Sequence, residues 1–134
     1  MVNTDRLNTG TPLRAALIND GRLAPGAVEI RNNIVMPGAP NRKYVGGTVG
    51  FQAVAQSVSH NLWTGGGGPA LGSRNAEGNA RFAGPADFHL VQGSAAIDAG
   101  TPEVAALVAN DYDIGTIRPQ GRGFDIGAYE FTPP

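Results

Sequence analysis

The 134-residue chain contains no cysteine, which excludes a disulfide scaffold and a thiolate metal centre. Charge is scarce too. Asp, Glu, Lys and Arg make up 16% of the chain, against roughly 25% in an ordinary globular domain. The net charge of −1 offers no basic surface for nucleic acid, so no nucleic-acid partner is expected. No apolar run approaches the roughly 20 residues of a membrane-spanning helix, and no signal-peptide core follows Met1, so neither a span nor a leader is expected in this chain. A helical bundle is excluded by the breakers, 20 Gly and 10 Pro, since each interrupts the backbone ladder that a helix needs.

The remaining composition fits one domain, residues 1–134, with a real but modest core. Its charges are unevenly placed. Residues 1–97 hold eight basic and five acidic groups, while residues 98–134 set Arg118 and Arg122 against Asp98, Glu103, Asp111, Asp113, Asp125 and Glu130. Such gathering of acids marks either a site or a local ion-pair network.

Along the chain, residues 1–12 are polar and read as a loop or frayed end. Residues 13–18 form a short apolar run, Arg14 apart, and stop at Asn19-Asp20-Gly21, a turn signal. After Pro25-Gly26, Val28 and Ile30 alternate with polar residues as in a half-buried strand. Residues 56–63 then repeat residues 28–35 at an offset of 28: Ile30 meets Val58, Asn33 meets Asn61, Ile34 meets Leu62 and Val35 meets Trp63. A period of this length suggests a solenoid, whose units bury their faces against neighbouring copies. The repeated Asn between two short strands suits a left-handed backbone turn. The glycine run at 65–68 carries no phosphate-binding pattern. Residues 72–86 read as surface loop with Phe82 as an anchor, and a strand is expected near 87–91. The one helix expected spans residues 102–108, with Thr101 as N-cap, Pro102 in the first turn and Glu103 at the favourable end of the dipole.

The last third carries a more specific pattern. Asp87-Phe88-His89-Leu90 leads to Gly93-Ser94-Ala95-Ala96-Ile97-Asp98-Ala99-Gly100-Thr101. Then come Asp113-Ile114-Gly115-Thr116-Ile117-Arg118-Pro119 and Asp125-Ile126-Gly127-Ala128-Tyr129-Glu130-Phe131. This series resembles the C-terminal end of bacterial right-handed parallel β-helix proteins of the pectate-lyase-like superfamily, of the kind with a choice-of-anchor tail. Ala95 stands where that family often has Pro. The resemblance implies an all-β fold: a short right-handed parallel β-helix of few rungs with a loop and short-helix C-terminal cap. Residues 1–20 would lead in, 21–97 would form rungs, and 98–134 would cap them. It also implies an extracellular or cell-surface location and a longer parent protein.

Within this frame, Asp98, Asp113, Arg118, Asp125 and Glu130 are expected to form a structural knot, Arg118 forking to carboxylates. Gly100, Gly115 and Gly127 would serve its tight turns. The sharper alternative is calcium, with Asp98, Asp111, Asp113 and Asp125 as oxygen ligands; no other cofactor is expected. A polysaccharide partner is expected on a shallow face holding Arg42, Lys43, Tyr44 and Trp63, although Trp63 aligns with Val35 and suits the core equally. His60 and His89 are acid–base candidates, but neither has a sequence partner that forces a triad, and Ser94 lacks a nucleophile-elbow context. An open N-terminal rung would pair with another copy, making a homo-oligomer. The leading functional expectation is a non-catalytic end domain, structural and polysaccharide-contacting. The alternatives are a fragment of a lyase or glycoside hydrolase acting on acidic glycans, and an oligomer-forming assembly module.

Overall fold

The computed structural model describes residues 15–18, 29–36, 43–46, 58–65, 68, 72–113 and 115–134. The fold is all-β in character, with short strands and almost no helix. Seven strands are present among these residues: β1 (Ala15–Ile18), β2 (Ile30–Arg31), β3 (Ile34–Val35), β4 (Lys43–Gly46), β5 (Val58–Ser59), β6 (Leu62–Trp63) and β7 (Ala76–Glu77). They form three small sheets, β1-β4, β2-β5 and β3-β6-β7.

Every strand pairing is parallel. Ala15 faces Lys43 and Leu17 faces Val45, Ile30 faces Val58, and Ile34 faces Leu62 with Val35 on Trp63. All three pairings join residues 28 positions apart, so the sequence offset is the structural register. The third sheet adds β7 with Leu62 on Ala76, a step of only 14 residues. That strand lies in a region expected to be loop, because Ala76 and Glu77 replace the apolar pair of the earlier copies. The signal for it is Ser73-x-Asn75, which repeats Ser59-x-Asn61.

The strands β2, β3, β5 and β6 are two residues long because a left-handed residue separates β2 from β3 and β5 from β6. Asn32, His60 and Arg74 take φ of 54°, 52° and 53°, stacked at one corner. The sequence assigned this conformation to the repeated Asn; the structure gives it to the preceding residue and uses Asn33, Asn61 and Asn75 as a ladder. Asn61 is fully buried. Its Oδ1 accepts from Asn33 N and Asn33 Nδ2, both at 3.0 Å. Its own N and Nδ2 donate to Asn75 Oδ1 at 2.9 and 3.0 Å, and Nδ2 also reaches Ile30 O at 2.8 Å. The amide side chains thus satisfy backbone groups that the turn would otherwise leave without partners.

Inward side chains of the stack meet a second layer drawn from the C-terminal third. Leu62, Ala80, Leu90, Ala96 and Ile126 form the buried cluster, with Ile34, Ala76, Phe82, Ala95, Ile97, Ala99 and Phe131 packed around it. Full burial of a side chain the size of Leu62 or Ile126 contributes about 1.5–3 kcal/mol. The second layer is fastened to the first described repeat as well as lying beneath the later ones. Gly127 N donates to Asn32 O at 2.9 Å, Thr101 N donates to Asn32 Oδ1 at 2.9 Å, and Asn32 Nδ2 donates back to Thr101 O at 3.1 Å.

Two expected elements differ. The helix over 102–108 is a 3-10 turn of three residues, Pro102–Val104, with Thr101 capping Glu103 N as expected. Leu107 is 82% exposed, so no apolar stripe is buried and packing cannot extend the helix. The strand near 87–91 is an antiparallel hairpin closed by a Phe82–Leu90 bridge, its two ends joined by an edge-on Phe82–Phe88 ring contact at 5.3 Å.

Candidate functional site

Two clusters of ionisable groups occupy the C-terminal third, one buried and one exposed. In the buried cluster, Arg118 Nε donates to Glu130 Oε1 at 2.6 Å, with the two side chains 3% and 0% exposed. Its Nη2 donates to Asp125 O at 2.6 Å and its Nη1 to Gly127 O at 3.2 Å. The guanidinium also lies 5.2 Å from the centre of the Phe124 ring. Glu130 accepts further from Asp125 N and Gln120 N, both at 3.0 Å. Asp125 ties the ends together, accepting Asp98 N at 2.7 Å on Oδ1 and Phe131 N at 2.6 Å on Oδ2. Asp98 accepts Gly123 N at 2.9 Å, and Asp111 accepts Glu130 N at 3.3 Å and Asp113 N at 2.9 Å.

Burial raises the Asp125 carboxyl above the ordinary carboxylate range, and the charges of Glu130 and Asp98 push the same way, against the two backbone donors. Two glycines serve this cluster differently. Gly127 sits at φ 111°, a left-handed conformation, while a Cβ on Gly100 would come within 2.8 Å of Phe124 O. Gly100 therefore permits a close approach rather than a turn.

Four of the five expected knot residues, Asp98, Arg118, Asp125 and Glu130, are brought together. Asp113 is not: its carboxylate leaves the knot, and Asp111 occupies that place. The calcium set of Asp98, Asp111, Asp113 and Asp125 is not gathered at one point among the described residues. Both oxygens of Asp111 and of Asp125 accept backbone N–H groups, and Asp113 turns to the other cluster. Among the described residues, no three His, Asp or Glu side chains gather as a metal-holding group.

The exposed cluster is centred on His89. Its Nδ1 meets Asp87 Oδ1 at 2.5 Å and its Nε2 meets Asp113 Oδ2 at 2.7 Å. A carboxylate on each ring nitrogen favours the imidazolium, which donates from both. The bonds to Asp113 and then Asp87 raise its pKa above the ordinary value, and the His89 bond holds Asp87 below the usual carboxylate range. The imidazole stacks at 4.1 Å on Tyr129, which meets Tyr112 edge-on at 5.7 Å. Loop 109–118 presents Tyr112 and Asp113. It is closed by an Asn110–Ile117 bridge and docked by Tyr112 N on Ala128 O at 2.8 Å. The tyrosines were not singled out in the sequence; the signal was Asp87-x-His89 together with the ring inside Gly127-Ala128-Tyr129.

Of the expected glycan face, only the Trp63 side chain lies among the described residues. Trp63 is 1% exposed and belongs to the core beneath β6, which removes it from any surface contact. Arg42 lies outside the described residues, and Lys43 and Tyr44 lie on β4, whose backbone alone is described. Of the N-terminal rung expected to mediate self-association, residues 21–28 lie outside the described residues. His60 stands at its left-handed corner, where burial and the neighbouring Arg74 lower its pKa. Ser94 Oγ accepts Ala96 N at 3.1 Å, a turn contact. No helix among the described residues is long and apolar enough to cross a membrane.

Comparisons with family models, curated proteins and solved structures found no match to this chain.

Proposed function

We propose that this chain is the closing end of a right-handed parallel β-helix: a non-catalytic, structural and polysaccharide-contacting domain of a secreted or cell-surface protein. The observation that carries the reading is the single register of 28 residues shared by three separate parallel strand pairs. Parallel strands one full repeat apart in three different sheets are what a chain wound into stacked coils produces. A parallel crossover takes the right-handed path in about 98% of cases. The asparagine ladder supports the same reading, since it stacks corner on corner.

The closing role follows from the buried cluster. A stack of parallel strands ends on an open edge and an apolar cross-section, and both need a cover. The layer tied by Arg118, Asp125 and Glu130 supplies Ile126 and Phe131 to the core and holds Asn32 at the corner. In this role the acids and the arginine act on the fold and not on a substrate.

The test is incubation of the chain with polygalacturonate and with alginate, with and without calcium, followed by measurement of unsaturated products and new reducing ends. Neither is expected to accumulate. Either product, formed by the purified chain and abolished by boiling it, overturns the non-catalytic reading.

A further inference from the structure

Tyr112 is 74% exposed, yet its backbone and its ring are both held. Its N–H is bonded to Ala128 O, and its ring stands edge-on to Tyr129, which lies against His89. An aromatic ring fixed in solvent adds little to the core. It presents a flat apolar face at low conformational cost, since a tyrosine has only two side-chain torsions to freeze.

Around this face the polar groups are of one kind. The side chains of Asp87 and Asp113 are 53% and 54% exposed. Each gives His89 one oxygen, and the second oxygen of each takes no hydrogen bond among the described residues. No Arg or Lys pairs with either carboxylate among the described residues. The cluster therefore offers acceptors and aromatic faces, and its two carboxylates outnumber its one basic ring. Its ligand must bring hydroxyl donors and an apolar face and carry no negative charge of its own. A pyranose ring of a neutral sugar has this pattern, with C–H bonds on one face and hydroxyls around the rim. A uronate would set its carboxylate against Asp87 and Asp113.

We infer that Tyr112, Tyr129, Asp87 and Asp113 form a binding site for neutral pyranosides, its geometry set by His89 bridging the 82–90 hairpin to loop 109–118. This rests on the polysaccharide-contacting part of the proposed function and narrows it from polysaccharide in general to uncharged sugar. Tyr112 provides the exposed stacking face, Tyr129 backs it, and the free carboxylate oxygens accept hydroxyl protons. His89 is a positioning residue, because its nitrogens are spent on the two aspartates.

The test is a titration of the full chain with cellohexaose, mannohexaose and xylohexaose, and separately with hexagalacturonate, followed by the ring-proton resonances of the tyrosines. At least one neutral hexasaccharide is expected to shift the Tyr112 and Tyr129 signals saturably, and hexagalacturonate to leave them in place. Tyr112→Ala should weaken that binding about tenfold or more while the thermal melt stays unchanged, and Tyr112→Phe should restore it. No saturable shift with any of the three neutral sugars overturns the site. So does preferential binding of hexagalacturonate, or equal binding by Tyr112→Ala. A chain that forms no product from polygalacturonate and binds no neutral sugar loses this inference alone and leaves the structural reading standing.

Discussion

Replacing Arg118 by alanine tests the closing layer most directly. The guanidinium bonds a buried carboxylate, the buried Asp125 carbonyl and the half-buried Gly127 carbonyl, and the side chain of its partner Glu130 is fully buried. Removing it leaves the Glu130 charge with only the Asp125 and Gln120 N–H groups. Breaking a buried pair from one side costs about 3–5 kcal/mol, because the remaining charge stays out of water without a counterion. For a chain of this size that corresponds to a drop in Tm of roughly 10–25 °C, taking about 3–5 °C per kcal/mol. Urea unfolding followed by circular dichroism measures the first quantity and calorimetry the second. Two companions sharpen the test. Arg118→Ala combined with Glu130→Gln should be more stable than Arg118→Ala alone, since the stranded charge is gone. Arg122→Ala, at an exposed position, should stay within about 0.5 kcal/mol of the parent. A loss below about 1 kcal/mol for Arg118→Ala, or a double variant weaker than the single, would refute the reasoning.

Asn61→Ala strands the Asn33 N–H and the Ile30 carbonyl at once, while the residue-61 N–H stays on Asn75 Oδ1, and a loss of about 2–4 kcal/mol is expected in urea unfolding. Asn33→Ala, at an exposed position, should lose no more than about 1 kcal/mol; equal losses would mean that the ladder does not hold the stack. The two histidines should titrate on opposite sides of the ordinary 6.5 in a proton NMR series, His89 above it and His60 below. The folded pKa of His89 is raised, so its contribution to stability is full below 6.5 and is lost as pH rises through the folded value. For His60 the sign reverses: its contribution is present above 6.5 and is lost as pH falls through the lowered value. Coincident titrations near 6.5, or a His89 curve unmoved by Asp113→Asn, would remove the two-carboxylate bridge.

What could be read from the sequence was whatever depends on spacing. The offset that sets Ile30 on Val58 and Val35 on Trp63 is a local comparison of two apolar patterns, and strand register follows from it because one face must be buried. The third copy at 73–77 escaped because its apolar pair is Ala76-Glu77. There the ladder side chain and the backbone carry the pairing, and neither leaves a hydropathy signal. Arg118 and its acids were legible as a set because so few charges compete for partners in a chain this poor in them. Their assignment within the set was not. Asp111 and Asp113 differ by two positions in one hairpin, and which of them turns inward is decided by how Glu130 N and the His89 ring approach that loop from elsewhere. The Tyr112–Tyr129–His89 stack is non-local in the same way, drawing on the hairpin, the loop and the last segment. Its geometry is set by where those three segments lie, which the buried layer fixes. The exposed cluster therefore depends on the buried one. A variant that loosens the Arg118–Glu130 pair without unfolding the chain should disturb the tyrosine resonances before it disturbs those of Val58 and Leu62.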